Sequence, residues 1–185
     1  KYYEKFGLGK KTGIDFEGEK SGFIASPETK KKTIDPVWRL GDTYNMSIGQ
    51  GYIQVTPLQI AVWTSEFATN EMRQPYIVKK IMSNDGKIVF ERKSKILKKN
   101  IISDENIKII QKGMRMTITS GTAKSLNNFP APIAGKSGTP EILGKRKLNA
   151  IFTGYAPADN PEIVLTVLIE EVPIGSVSTL PLFKE

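Results

Sequence analysis

Three strand-like runs that follow one another near the C-terminal end constrain the fold more than any other feature. They are "APIAGKSGT" (131–139), "LNAIFTGYAP" (148–157) and "EIVLTVLIEE" (162–171). Pro140 and the segment "APADNPE" mark turns between them, as expected for antiparallel neighbours. The third run contains an almost uninterrupted apolar stretch, residues 163–169, which is typical of a strand buried on both faces. The sequence therefore predicts a small antiparallel sheet at this end of the chain.

Two helices and a hairpin are predicted before the sheet. Thr56 is a natural N-cap and Pro57 suits a first helical position, so residues 55–70 predict a helix. Its expected buried face is Leu58, Ala61, Val62, Ser65 and Ala68. Ser103 caps a second helix, which ends near Gly121 and has an apolar stripe formed by Ile107, Ile110, Met114 and Ile118.

Between these helices, residues 76–82 and 87–91 predict a β-hairpin with Asp85-Gly86 at its turn. Residues 1–55 are rich in glycine and are expected to be irregular. The pattern indicates a single domain of mixed α/β (α+β) class, with an antiparallel sheet and helices on its faces.

Composition excludes several kinds of chemistry. The chain of 185 residues contains no Cys and no His. Ser–His and Cys–His catalysis are therefore impossible, and any general base must be Lys, Asp, Glu or Tyr. No apolar run reaches the 18 residues that a membrane span needs.

The net charge of +8 is concentrated between residues 79 and 99. The basic residues there are Lys79, Lys80, Lys87, Arg92, Lys93, Lys95, Lys98 and Lys99. No aromatic side chains interleave with Lys93–Lys99 and no nucleic-acid-binding motif is present, so we interpret the stretch as a solvated face and predict no nucleic-acid partner.

Two Lys-Ser/Thr-Gly triplets occur, of the kind that lines the active site of penicillin-recognising enzymes. Lys136-Ser137-Gly138 lies on a predicted strand, where an extended peptide could pair by strand addition. Lys11-Thr12-Gly13 lies in a glycine-rich loop, and we interpret it as a turn. A phosphate-binding P-loop is excluded, because Pro130 occupies the position of its first glycine and strands replace the helix that should follow.

Five longer segments, in order, carry a family resemblance. They are "FGLGKKTGIDFEGEKSGFIASPE" (6–28), "GDTYNMSIGQGYIQVTPLQIA" (41–61), "SGTAK" (120–124), "AGKSGT" (134–139) and "FTGYAPADNPEIVLTVLIE" (152–170). Together they resemble the transpeptidase domain of class B penicillin-binding proteins. The motifs "GDT" and "SIGQGY" resemble those of the penicillin-binding protein 2 branch, which acts in cell-wall elongation. The resemblance covers nearly the whole chain, so residues 1–185 are predicted to be the C-terminal part of such a domain.

This resemblance implies a peptidoglycan D,D-transpeptidase, which transfers an acyl group from D-Ala-D-Ala stem peptides through a serine and is acylated by β-lactams. By the motif match, Lys136 supplies positive potential and Ser137 binds the substrate carboxylate. Gly138 gives a ligand backbone room, and the N–H of Thr139 is one oxyanion-hole donor.

The resemblance also implies a location and partners. We expect an extracytoplasmic (periplasmic) position at the cell membrane, an anchor upstream of this chain, and membrane proteins of the elongation complex as partners. We expect no cofactor. We predict no metal either, because Asp15, Asp35 and Asp42 have no Cys or His companion.

The nucleophile motif of the family is missing from this sequence. None of the serines has Lys three residues later, as Ser-x-x-Lys requires. Ser125-Leu126-Asn127 matches Ser-x-Asn but lies in the wrong place, so we interpret Ser125 as a loop residue. The nucleophile is expected upstream of Lys1. Two alternatives remain open: a serine β-lactamase or β-lactam sensor of the same fold, and a non-catalytic module that binds the cell wall.

Overall fold

Short helices and short antiparallel strands make up the chain, and the computed structural model describes residues 2–142, 147–173 and 175–183. The α-helices in these ranges are α1 (Tyr2–Lys5), α2 (Pro27–Lys30), α3 (Leu40–Ser47), α4 (Pro57–Thr69), α5 (Asp104–Thr119) and α6 (Leu180–Phe183). The strands are β1 (Phe23–Ile24), β2 (Ile53–Gln54), β3 (Glu71–Arg73), β4 (Lys80–Met82), β5 (Ile88–Glu91), β6 (Ile96–Lys99), β7 (Ala134–Gly138), β8 (Leu148–Ala156) and β9 (Ile163–Val172).

The three predicted C-terminal strands pair as β7-β8-β9, and both pairings are antiparallel. The expectation that β9 is buried on both faces is wrong, because Ile163 is 66% exposed and Leu165 is also exposed. The physical reason is that Ile163 and Leu165 lie on the same face as Val167, and of these three residues only Val167 packs against the apolar cluster around Phe152.

Helices pack on both faces of this sheet, which confirms the predicted fold class. On one face, Tyr155 of β8 packs with Ala68 of α4 and Met114 of α5. On the other face, Phe152 of β8 packs edge-on against Phe183 of α6. These two apolar clusters anchor β8, the central strand, from both sides.

Helix α4 begins as predicted. The Thr56 hydroxyl accepts a hydrogen bond from the Gln59 N–H, and the Gln59 side chain accepts one from the Thr56 N–H. The predicted buried face is only partly right: Val62 and Ala68 are buried, whereas Leu58, Ala61 and Ser65 are half-buried, because α4 has neighbours on several sides. Its buried residues are Gln59, Ile60, Val62, Thr64, Glu66 and Ala68. Helix α5 buries Ile107, Met114 and Ile118, as its apolar stripe predicts.

The expectation of an irregular first 55 residues is wrong in part. This region contains α1, α2, α3 and the β1–β2 pair. Helix α3 forms although Gly41 lies in its first turn, because the Asp42 carboxylate accepts a hydrogen bond from the Arg39 N–H at 2.7 Å. Such a capping bond satisfies a backbone donor that helix formation leaves without a partner.

A buried ammonium group organises the same region. Lys30 is 1% exposed, and its Nζ donates to Asp42 at 2.6 Å and to the Val37 carbonyl at 2.8 Å. Asp35 lies 3.3 Å away, and the Tyr52 ring lies 4.9 Å from the ammonium. Burial alone would lower the pKa of Lys30, but the two carboxylates outweigh this effect, so the pKa is raised.

The predicted hairpin is present as β4 and β5, with shorter strands than expected. Its residues are exposed on both faces, in agreement with a solvated basic stretch. Asp15 holds the base of the hairpin: its carboxylate accepts hydrogen bonds from the N–H groups of Ile77 and Val78 and pairs with Arg92 at 3.1 Å. Within the ranges that the structure describes, no helix has the length and apolar character needed to cross a membrane.

Candidate active site on the edge strand

The predicted site residues Lys136, Ser137 and Gly138 are the last three residues of β7. Each is paired with a residue of β8, and Lys136 lies opposite Thr153. Strand β7 is an edge of the sheet as the structure describes it, because no described strand pairs with it on the side away from β8. Backbone groups on that edge are available to an extended peptide.

Lys136 gives this edge its positive charge. Its side chain is exposed, and Nζ donates to the carbonyl of Ser137 at 2.6 Å. No carboxylate among the described residues forms an ion pair with it. An ammonium without a counter-charge attracts an anionic ligand more strongly than one that is already paired.

Ser137 has a hydroxyl neighbour that sequence analysis did not assign to the site. The Oγ1 of Thr122 lies 2.9 Å from the Oγ of Ser137, so one of the two donates to the other. Thr122 belongs to the "SGTAK" segment that follows α5. The segment was visible in the sequence, but its contact with β7 depends on tertiary structure.

Gly138 and Thr139 differ in how closely the protein surrounds them. A Cβ built on Gly138 meets only the Cβ of Ile151, at 3.7 Å, so the protein itself has room there. The side chain of Thr139 instead packs on the backbone of Gly175, where an added Cβ would lie 2.6 Å from the Thr139 Cγ2. Gly175 therefore supports the residue that carries the proposed oxyanion donor.

An apolar groove of about 460 Å³ lies beside the triplet. Aromatic and aliphatic side chains of residues 2–8, α4 and α5 form most of its wall, and β7 and β8 supply the rest. The lining residues are Tyr2, Tyr3, Phe6, Leu8, Ile60, Trp63, Thr64, Phe67, Ile110, Met114, Lys136, Ser137, Gly138, Ile151 and Thr153. Sequence analysis missed the part played by residues 2–8, although Tyr2 and Phe6 have the i, i+4 spacing of one helix face.

The second triplet lies outside this groove. Residues 11–13 form a loop, as predicted. The N–H and the hydroxyl of Thr12 both donate to the Glu19 carboxylate at 2.6 Å. Ser125 lies in a short 3-10 turn between α5 and β7 and does not line the groove either. The structure therefore brings Lys136, Ser137 and Gly138 together with the groove and keeps Lys11, Thr12 and Ser125 away from it.

The carboxylates considered as metal ligands have basic partners instead. Asp35 and Asp42 contact the Lys30 ammonium, and Asp15 contacts Arg92. Within the described ranges, no three acidic side chains lie close enough to hold a metal ion together.

Comparison with known proteins identifies the family. The model of the penicillin-binding protein transpeptidase domain matches residues 1–185. The chain belongs to this family. This result confirms the family that the sequence motifs indicated.

Curated relatives of the transpeptidase domain agree with that assignment. The chain is 36% identical to penicillin-binding protein H of Bacillus subtilis, over 92% of this chain and 25% of the relative. It is 32% identical to the peptidoglycan D,D-transpeptidase MrdA of Acinetobacter baumannii, over 91% of this chain and 27% of the relative. The chain thus spans about a quarter of the length of these relatives.

Solved structures support the penicillin-binding protein 2 branch. Penicillin-binding protein 2 of Pseudomonas aeruginosa, in complex with WCK 5153, superposes with a TM-score of 0.81 at 33% identity. The match covers 98% of this chain and 41% of that one. A chain from a study of polymerization and crosslinking by a peptidoglycan synthase complex has a TM-score of 0.79 at 32% identity, over 96% of this chain and 30% of that one.

Proposed function

We propose that the protein to which this chain belongs is a peptidoglycan D,D-transpeptidase of cell-wall elongation. The observation that carries the proposal is the placement of Lys136-Ser137-Gly138 on a free sheet edge beside an apolar groove, in a chain of the penicillin-binding transpeptidase family. Residues 1–185 then form the C-terminal part of the transpeptidase domain.

In this proposal, a stem peptide lies along the outer edge of β7. The backbone of β7 pairs with the peptide, and Gly138 leaves room for the peptide backbone. The terminal carboxylate of D-Ala-D-Ala lies near the Lys136 ammonium and accepts a hydrogen bond from the Ser137 hydroxyl. The N–H of Thr139 donates to the carbonyl oxygen under attack, where negative charge develops.

The reaction then proceeds in two acyl transfers. A serine oxygen attacks the carbonyl carbon between the two D-alanines, the C–N bond breaks, and the terminal D-Ala leaves with a proton on its amine. The amine of a second stem peptide attacks the resulting ester, and the serine regains its proton as the new amide forms. A β-lactam enters the first step through its ring carbonyl and keeps the serine acylated.

In this proposal the nucleophile comes from sequence outside this chain, since none of its serines lies in Ser-x-x-Lys. We propose that the segment carrying the nucleophile packs in the groove beside β7. Two features support this arrangement: the lining is almost entirely apolar, and Lys136 and Ser137 form one side of it. An apolar groove of this kind is stabilised when another apolar segment excludes water from it.

The proposed setting follows from the relatives. One relative is named a peptidoglycan D,D-transpeptidase, another a penicillin-binding protein, and one similar chain comes from a peptidoglycan synthase complex. We therefore propose stem peptides and β-lactams as ligands, membrane proteins of the elongation complex as partners, and the extracytoplasmic face of the cell membrane as the location. An anchor upstream of this chain would hold the domain there.

Fluorescent penicillin tests this function. The full-length protein should carry a covalent, slowly lost label on a denaturing gel, and the 185-residue chain alone should carry none. Rapid loss of the label from the full-length protein would favour a β-lactamase. An unlabelled, folded full-length protein would contradict the transpeptidase proposal and favour a non-catalytic wall-binding module.

A further inference from the structure

A pair of hydroxyl groups connects the end of α5 to the candidate strand. Thr122 Oγ1 and Ser137 Oγ lie 2.9 Å apart, although 15 residues separate them in the sequence. Thr122 does not line the groove, and neither the motif match nor the proposed reaction gives it a role.

The backbone presents the Thr122 hydroxyl from a fixed turn. A Cβ on Gly121 would lie 2.8 Å from the Cα of Thr117 and 2.9 Å from its carbonyl oxygen, so the chain can pass this closely only with glycine there. After Thr122, the N–H of Ala123 donates to the Thr117 carbonyl at 3.0 Å, and Ala123 is completely buried. Residues on both sides of Thr122 are thus held against α5.

The chemistry of two neighbouring hydroxyls depends on what they bind. A hydroxyl donates one hydrogen bond and accepts up to two, whereas a carboxylate only accepts. When Ser137 donates its proton to a carboxylate, its Oγ can still accept a bond from Thr122. The two hydrogen bonds then run in one direction, from Thr122 to Ser137 and from Ser137 to the carboxylate, and each polarises the other.

We propose that Thr122 is a positioning residue for carboxylate recognition: its hydroxyl donates to the Oγ of Ser137 and so directs the Ser137 proton towards the carboxylate of the bound ligand. This inference rests on the proposed function and assigns to that site a residue outside the Lys-Ser-Gly triplet. Because Thr122 acts through Ser137, its contribution should exist only for ligands that have a free carboxylate.

The test measures acylation of the full-length protein by a penicillin and by the methyl ester of the same penicillin. Thr122→Val removes the hydroxyl at nearly constant shape and should weaken the apparent affinity for the free acid roughly 3- to 10-fold, the range of one hydrogen bond. The limiting acylation rate should change little. With the methyl ester, Thr122→Val should change the affinity by less than about 2-fold. An uncharged ester accepts a weaker hydrogen bond from Ser137 than a carboxylate does, so the bond that Thr122 supports is already weak in the wild-type protein.

Two further variants separate positioning from general structure. Thr122→Ser keeps the hydroxyl and should restore most of the affinity for the free acid. Thr119→Val is the matched control, since Thr119 is the exposed last residue of α5 and, within the described ranges, its hydroxyl bonds only the Arg115 carbonyl. It should leave both ligands unaffected.

A double-mutant cycle gives an independent readout. In a Ser137→Ala background, Thr122→Val should have no further effect, because the group that it positions is absent. Equal losses for the acid and the ester, or equal losses with and without Ser137, would overturn the positioning role while the proposed function stands. A folded wild-type protein that neither ligand acylates would instead overturn the proposed function, and this inference with it.

Discussion

Lys136 and Lys11 are chemically identical lysines, each followed by a hydroxyl residue and a glycine, in different surroundings. Lys136 is exposed beside the groove and has no carboxylate partner among the described residues. Lys11 lies in the loop that Glu19 holds together through Thr12 and Gly13. These surroundings support the proposal that the Lys136 triplet attracts an anionic ligand and that the Lys11 triplet belongs to a structural loop.

Substitution of each lysine tests this difference. Lys136→Ala in the full-length protein should lower the rate of penicillin acylation roughly 10- to 100-fold, as expected for a charged hydrogen bond to the ligand. Its melting temperature should stay the same, because the ammonium forms no ion pair with a residue that the structure describes. Lys11→Ala and Thr12→Ala are the matched controls and should leave acylation near wild type. A larger loss in either control than in Lys136→Ala would contradict the assignment.

A buried carboxyl group on α4 makes stability depend on pH. Glu66 is fully buried; one of its oxygens accepts a bond from the Ile101 N–H at 3.0 Å, and the other has no hydrogen-bond partner among the described residues. Burial raises the pKa of Glu66 above its ordinary value of 4.5, and the nearby charge of Glu71 adds to this effect. The folded state therefore binds the Glu66 proton more tightly than the unfolded state does.

The buried carboxyl group makes the fold less stable as the pH rises. The contribution of Glu66 to stability is fully present below pH 4.5 and is lost as the pH rises through the raised pKa of the folded state. Glu66→Gln keeps an oxygen for Ile101 and removes the charge, so it should stabilise the fold at pH 7 by about 1 kcal/mol. Thermal unfolding at pH 4 and pH 7 measures this change. Glu71→Gln removes the partner of Lys99 and should not raise the melting temperature. A lower melting temperature of the Glu66→Gln protein at pH 7 would contradict the prediction.

Among the elements, β7 carries two glycines with opposite surroundings. Gly138 has open space where a side chain would lie, since the nearest atom is 3.7 Å away. A Cβ on Gly135 would instead lie 2.6 Å from the Phe152 ring and 2.8 Å from the Thr153 carbonyl oxygen. Packing of the protein thus requires glycine at position 135 but not at position 138.

Valine at each position should separate ligand binding from stability. Gly138→Val should slow acylation by about 100-fold, the scale of losing one oxyanion donor, with little change in melting temperature. Gly135→Val should destabilise the fold by about 1–3 kcal/mol through overpacking. Acylation kinetics and thermal unfolding of both variants measure the two effects. Near-normal acylation by a folded Gly138→Val protein would show that the ligand does not lie along β7.

Elements with strong local signals were predictable from the sequence, and elements that depend on tertiary contacts were not. Thr56 and Ser103 mark the starts of α4 and α5 because capping is a local interaction. Helix α3 was not predicted, because Gly41 in its first turn indicated a loop and the capping role of Asp42 was not recognised. The Thr122–Ser137 contact could not be predicted, since only the packing of α5 on β7 brings the two hydroxyls together.

At the scale of the whole molecule, the apolar groove is a feature that this chain leaves open. Its lining combines residues from opposite ends of the sequence, from Tyr2 to Thr153, so it exists only when the chain is folded. Trp63 lies in its wall, whereas Trp38 lies elsewhere and donates its indole N–H to Thr43.

A dye that fluoresces on apolar surfaces tests whether the groove is filled in the full-length protein. The 185-residue chain should bind the dye, and Trp63→Ala should remove most of the signal while Trp38→Ala leaves it. In the proposed arrangement the segment with the nucleophile fills the groove, so the full-length protein should bind much less dye. Equal dye binding by the folded chain and the full-length protein would contradict that arrangement.

The buried ammonium of Lys30 has a practical consequence for following how this protein unfolds. Amine-reactive reagents modify only lysines that water can reach, and most lysines of this chain are exposed. Lys30, enclosed by Asp35, Asp42 and Tyr52, is shielded while the N-terminal region stays folded. The moment at which its peptide first gains the reagent's mass therefore reports when this region opens, with no probe added to the chain.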